Sequence, residues 1–291
     1  MTRRRVTIAY LVALAIVAAW LVTNRGSAMA NLISEARPWP LLGLVAASIL
    51  PFLANTAFWT LALRELGETV TWRQVTSAAA ETTLTRYLPG GIWLAAGRGV
   101  ALSRRGVGTP ALIAMVGLEI MLAGPVALLV GSVLLAGSPN APAWLGWLAA
   151  GLLVVVVTLA RPALNRALAW WARRRHQQLP AVLTTTGVGR LALALVAYWT
   201  IFGSVFWAYL EVMEMPAGWL ATTGGFALSW RLGLFAVIAP QGLGVFEPAF
   251  ITLVGWSADA LLLVGAFRVV LLFRDLSLTA LVYAVFRRQS A

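Results

Sequence analysis

Seven apolar runs, most of them about as long as a helix needs to cross the roughly 30 Å hydrocarbon core of a bilayer, take up the larger part of this chain. They cover Val6–Val22, Leu41–Leu63, Pro110–Leu135, Ala143–Ala160, Leu191–Leu210, Trp219–Ile238 and Leu261–Phe286. In hydrocarbon every backbone N–H and C=O must find its partner inside the protein, so such runs fold as helices. Only 11% of the residues are charged, against about 25% in an ordinary soluble domain. These features imply an all-α polytopic membrane protein, with 1–291 forming a single transmembrane domain and no sizeable soluble region.

The net charge is +12, and all 22 basic residues are arginine. Nucleic-acid binding does not fit a chain made of spanning helices; arginines on cytoplasmic loops do. Sixteen arginines fall on one side of the proposed topology, against Arg25 and Arg37 on the other. The positive-inside rule then predicts an inner (plasma) membrane protein with both termini cytoplasmic and an even number of crossings. Eight segments satisfy this if residues 240–256 cross. Ala28-Met29-Ala30 has the pattern of a signal-peptidase site. The run before it is longer than a signal core, and Asn24 and Arg25 intervene, so the first helix is expected to stay in place. Cysteine is absent and His176 is the one histidine, which leaves no thiolate chemistry and little material for a metal centre. No cofactor is expected.

Two apolar segments are interrupted. Val75–Ala96 is broken by Pro89-Gly90-Gly91, and Pro240–Trp256 carries Gly242 and Gly244. Irregular backbone at membrane depth survives only where protein or a wet cavity shields it. Both segments are expected to be broken helices or re-entrant hairpins. Residues 161–190 are the longest polar stretch; Leu164, Leu168 and Trp171 at helical spacing suggest an interfacial amphipathic helix. Gly117, Gly124 and Gly131 recur every seven residues and give one span a flat stripe for close helix packing.

Charges left within apolar context are Arg86, Arg231, Arg268, Arg274, Glu119, Glu247 and Asp275, with Glu81 beside the first break. Each costs roughly 2.5–3.5 kcal/mol at mid-bilayer on insertion scales, so they should face the bundle interior, paired or wet. Arg268 and Asp275, seven residues apart, share a helix face, and Arg274 points elsewhere. Glu119, Arg231, Arg268 and Asp275 form the expected intramembrane charge network. The broken segments, Thr85-Arg86-Tyr87-Leu88-Pro89-Gly90-Gly91 leading to Arg98, and Pro240-Gln241-Gly242-Leu243-Gly244-Val245-Phe246-Glu247, open the backbone beside ionisable groups. Freed amides and a neighbouring arginine suit a phosphate. The candidate lipid-phosphate site is therefore Arg86, Tyr87, Pro89, Gly90, Gly91, Arg98, Gly242, Gly244 and Glu247.

These two motifs resemble the signatures of the lysylphosphatidylglycerol-synthase transmembrane, or flippase-like, family, whose members also occur as stand-alone membrane proteins. The resemblance extends over nearly the whole chain, and Glu119, Arg268 and Asp275 fit the family's habit. Gln241 stands where members usually carry glycine, and Pro248 follows the glutamate directly. No soluble aminoacyltransferase region accompanies the helices, so the resemblance implies lipid handling and not lysine transfer.

The expected function is translocation of a phosphate-bearing lipid between leaflets: an aminoacyl-phosphatidylglycerol, an anionic phospholipid or a polyprenyl-phosphate sugar. Its partners are membrane lipids. No Walker A loop is present to supply nucleotide energy. An intramembrane enzyme acting on lipid-linked sugar is a weaker reading, since the basic polar stretch offers no nucleotide-sugar fold. A non-catalytic partner of an envelope-lipid biosynthesis enzyme is the main alternative, with the glycine stripe and Trp170–Trp171 as docking faces.

Overall fold

The computed structural model describes residues 38–88, 93–139, 141–176, 181–215, 217–233 and 242–289. The first apolar run, Pro89, Gly90, Gly91, Pro240 and Gln241 lie outside them. The chain divides into two compact units, Met1–Gly43 and Leu44–Ala291. Every regular element among the described residues is helical.

Helices α1 (Pro38–Ala47) and α2 (Ile49–Glu65) make one membrane-length span. α3 (Trp72–Thr82) leads through a 3-10 turn, Thr83–Tyr87, to the first break, and α4 (Trp93–Ser103) follows it. Then come α5 (Thr109–Ala136), α6 (Trp144–Val154), α7 (Ala160–Arg175), α8 (Thr185–Val212), α9 (Trp219–Gly233), α10 (Phe246–Val254) and α11 (Leu261–Gln289). Among the described residues, four helical stretches are long and apolar enough to cross a membrane: Trp39–Glu65, Thr109–Ala136, Trp144–Arg175 and Thr185–Val212. The protein has an all-α polytopic membrane fold.

The amphipathic helix expected over residues 161–190 is instead the second half of a continuous helix, Trp144–Arg175. Pro162 has no N–H for the helical ladder, and a π-helical turn at Val155–Leu159 widens the helix just ahead of it. The stripe of Leu164 and Leu168 is buried and lies beside α5 residues Gly117 and Leu118. It serves internal packing.

The first broken segment is an antiparallel hairpin. Thr71 and Gln74 form a reciprocal capping box that starts α3. Gly97 of α4 sits against Thr82 and Thr85, Thr85 Oγ1 donates to the Trp93 carbonyl at 3.0 Å, and Arg105 folds back to pair with Glu81. At 1.5 Å per residue, the 11-residue arms are each roughly 16 Å long, about half the hydrocarbon thickness. The mouth of the hairpin lies at the N-terminal end of α5, where the Gly108 amide donates to Glu68 at 3.2 Å.

The second break forms a hairpin of opposite sense. α5 and α9 pack antiparallel: Gly137 meets Leu220, Gly131 meets Gly224 and Leu228, and Gly124 meets Arg231. α9 therefore starts beside the C-terminal end of α5 and stops near its middle. α10 then returns, with Gly233 against Gly242 and Gly225 against Phe250 and Val254. Of the two readings open to 240–256, a crossing or a re-entrant hairpin, this packing favours the hairpin: α10 has 9 residues, roughly 14 Å. A helix, a hairpin and a helix (α2, α3–α4, α5) are followed by the same order (α8, α9–α10, α11), with the hairpin mouths at opposite ends. α2 packs on α8, while α5 packs on α9 and α11 on α3. This is the plan of an inverted structural repeat.

Aromatic rings fix the second hairpin. Phe206 of α8, fully buried, meets Phe226, Phe246, Phe250 and Phe267 with ring centroids 5.0–6.0 Å apart. These contacts join α8, α9, α10 and α11.

Candidate functional site

The charges that composition forbids in lipid gather at the hairpin tips and on α11. Asp275 is completely buried. Its carboxylate accepts from Arg274 Nε at 2.8 Å and from the Tyr87 hydroxyl at 3.0 Å, and lies 3.4 Å from Arg86 Nε. Arg274 also donates through Nη1 to the Ser48 carbonyl at 3.0 Å. Arg86 and Tyr87 end the 3-10 turn at the tip of the first hairpin, so this cluster ties that tip to α11.

Glu247 stands in the first turn of α10. It accepts the Gly244 amide at 2.8 Å and pairs with Arg268, whose guanidinium lies 5.2 Å from the Phe246 ring centre. The pairing expected within α11 is corrected here. Arg268 reaches Glu247, and Asp275 takes Arg274 together with Arg86. Helical spacing gives the face on which a side chain starts, but not how far an arginine reaches around it. Gly242 and Gly244 have φ of +70° and +82°, backbone that glycine adopts without steric cost. These turns aim the Gly244 N–H at Glu247.

Arg98 of α4 is 2% exposed. It donates to Asn55 Oδ1 at 2.8 Å, and its guanidinium lies over the Trp59 ring at 4.5 Å. Both partners are neutral and belong to α2. Arg231, at the end of α9, brings its guanidinium up to Gly124, where a Cβ would collide with it. The glycine stripe thus divides its tasks. Gly131 admits α9, Gly124 admits the Arg231 side chain, and Gly117 meets nothing within 4 Å.

One set of electrostatic neighbours links the parts. Glu119 interacts with Arg98 and Arg231, and Tyr198 of α8 with Arg86, Arg98, Arg274, Arg231 and Glu119. Arg86, Glu119, Tyr198 and Arg231 all keep part of their surface open. Asn55, Trp59 and Tyr198 were not marked by the sequence; single polar or aromatic residues inside apolar runs give no signal by themselves. The outer face of α4 walls a mostly apolar groove of about 500 Å³ with α5, lined by Gly99, Val100, Leu112, Ile113 and Val116, with Arg104 among its lining residues. That volume is in the range of a small-molecule site. The arrangement can hold an anion at the centre beside apolar surface.

The family model described as "Lysylphosphatidylglycerol synthase TM region" matches residues 6–286. A search of curated proteins finds no match.

Proposed function

Because the chain belongs to the lysylphosphatidylglycerol synthase transmembrane family, we propose that it is a translocase carrying a phosphate-bearing lipid between leaflets. The observation that supports this reading most is the arginine-rich centre reached by hairpins from opposite ends. A headgroup phosphate would displace Asp275 from Arg86 and draw on Arg98, while the acyl chains stay against apolar helix surfaces. Glu247 and Asp275 hold the guanidiniums in the empty state, which keeps the cost of unpaired buried charge down. Broken helices that meet near mid-depth are the elements on which alternating access pivots in inverted-repeat transporters.

In this reading the protein performs no covalent chemistry and is driven by a lipid or ion gradient. It sits in the plasma membrane with both termini cytoplasmic, the orientation that the arginine distribution favours. Leaflet exchange in proteoliposomes tests it, with headgroup-labelled anionic lipids and a polyprenyl-phosphate sugar as cargo. Wild type should exchange at least one lipid class, and Arg86→Ala and Glu247→Gln should each slow that exchange tenfold or more while still inserting and folding. Exchange untouched by both substitutions would sink the site assignment. Absence of exchange for every lipid would favour a scaffold for an envelope-lipid biosynthesis enzyme.

A further inference from the structure

We infer that the central site selects a headgroup bearing two negative charges, a phosphate monoester or a diphosphate, over a phosphodiester or an aminoacylated headgroup. The inference rests on the translocator reading and narrows its cargo. Five guanidiniums, of Arg86, Arg98, Arg231, Arg268 and Arg274, face three carboxylates, of Glu119, Glu247 and Asp275. Among the described residues, this leaves an excess of two positive charges.

The contacts locate that excess. Glu247 is committed to Arg268 and to the Gly244 amide. Asp275 is divided between Arg86 and Arg274. Among the described residues, Arg98, though 2% exposed, bonds only to neutral Asn55 and stacks on Trp59. Neither Arg98 nor Arg231 has a carboxylate within 4 Å among the described residues, and both share the distant field of Glu119. Arg86, Arg98 and Arg231 are each within electrostatic reach of Tyr198, and against them stand Glu119 and the share of Asp275 that Arg274 does not take.

A phosphodiester supplies one negative charge and leaves one guanidinium uncompensated. A phosphate monoester carries close to two at mildly alkaline pH and offers three acceptor oxygens, enough for three separate arginines. A lysyl headgroup would add positive charge to a centre that already has too much. The apolar groove along the other face of α4 favours a lipid over free phosphate, since the helix that carries Arg98 also walls space suited to an acyl chain.

Thermal unfolding of the full-length protein in mild detergent reads the preference, because a ligand that binds the folded state raises its stability. The titrants are short-chain phosphatidic acid, phosphatidylglycerol with the same chains, lysyl-phosphatidylglycerol and inorganic phosphate, at mildly alkaline pH. Phosphatidic acid should act at concentrations at least tenfold below phosphatidylglycerol, with the lysyl lipid weakest. Arg98→Gln and Arg231→Gln should each shrink that ratio, and Glu119→Gln, which adds to the excess, should widen it. Equal or reversed preference for phosphatidylglycerol or the lysyl lipid would overturn the inference. Inorganic phosphate acting as well as phosphatidic acid would uphold the charge class and remove the lipid. The same lipids in the leaflet-exchange assay separate the two claims. Exchange without charge preference overturns this inference and keeps the translocator; charge-selective binding without exchange does the reverse.

Discussion

At the residue scale, the ionisable side chains are what the sequence made plain, since each charge in an apolar run needs a partner or water. Their partners were less legible. Arg86 and Tyr87 meet Asp275 although Tyr87 and Asp275 are 188 residues apart, and no local spacing encodes such a contact. Asp275 is the group on which most contacts converge. Asp275→Asn would leave Arg86 and Arg274 side by side without their carboxylate, and losing one partner of a buried pair costs about 3–5 kcal/mol. The unfolding temperature in detergent should fall clearly. Glu119→Gln should cost less, because Glu119 makes no ion pair within 4 Å among the described residues. Equal losses would mean that Asp275 acts as a solvated charge.

At the element scale, prolines and glycines announced both breaks, but an apolar run of twenty residues reads as a crossing whether or not the chain turns back within it. The return of α10 along α9 depends on Gly233 and Gly242 lying in contact. Comparing two glycines tests this. Gly244→Ala meets open space but must hold a φ of +82°, which costs roughly 1–2 kcal/mol. Gly242→Ala bears a similar strain at φ +70°, and its Cβ would also fall 2.6 Å from the Gly233 backbone; overpacking adds about 1–3 kcal/mol. Thermal unfolding should rank Gly242→Ala well below Gly244→Ala. A reversed order would mean that the hairpin is open at that point. The π turn ahead of Pro162 is not legible in the sequence for a related reason: periodicity records where a helix is apolar, and a proline inside it reads as an end unless the helix widens to accept it.

At the scale of the whole molecule, the class of fold was readable from apolar length alone, whereas the inverted arrangement was not, because the two halves share a plan without sharing a sequence pattern. The absence of cysteine makes that arrangement easy to test. Ser103→Cys and Ser257→Cys place single thiols at exposed positions near the mouths of the first and second hairpins. Membrane-impermeant thiol reagents should label them from opposite sides of sealed vesicles. Labelling from the same side would contradict opposed hairpins. The convergence of both tips on α11 also bears on the order in which the protein is made. Synthesis runs from the N-terminus, so Tyr87 is complete 188 residues before Asp275, and Glu247 is complete 21 residues before Arg268. Until α11 arrives, both tips hold charges without their final partners, and neither hairpin can settle at depth. α11, made after both hairpins, is the keystone of the assembly, and a nascent chain halted before it should keep both hairpins within reach of a protease.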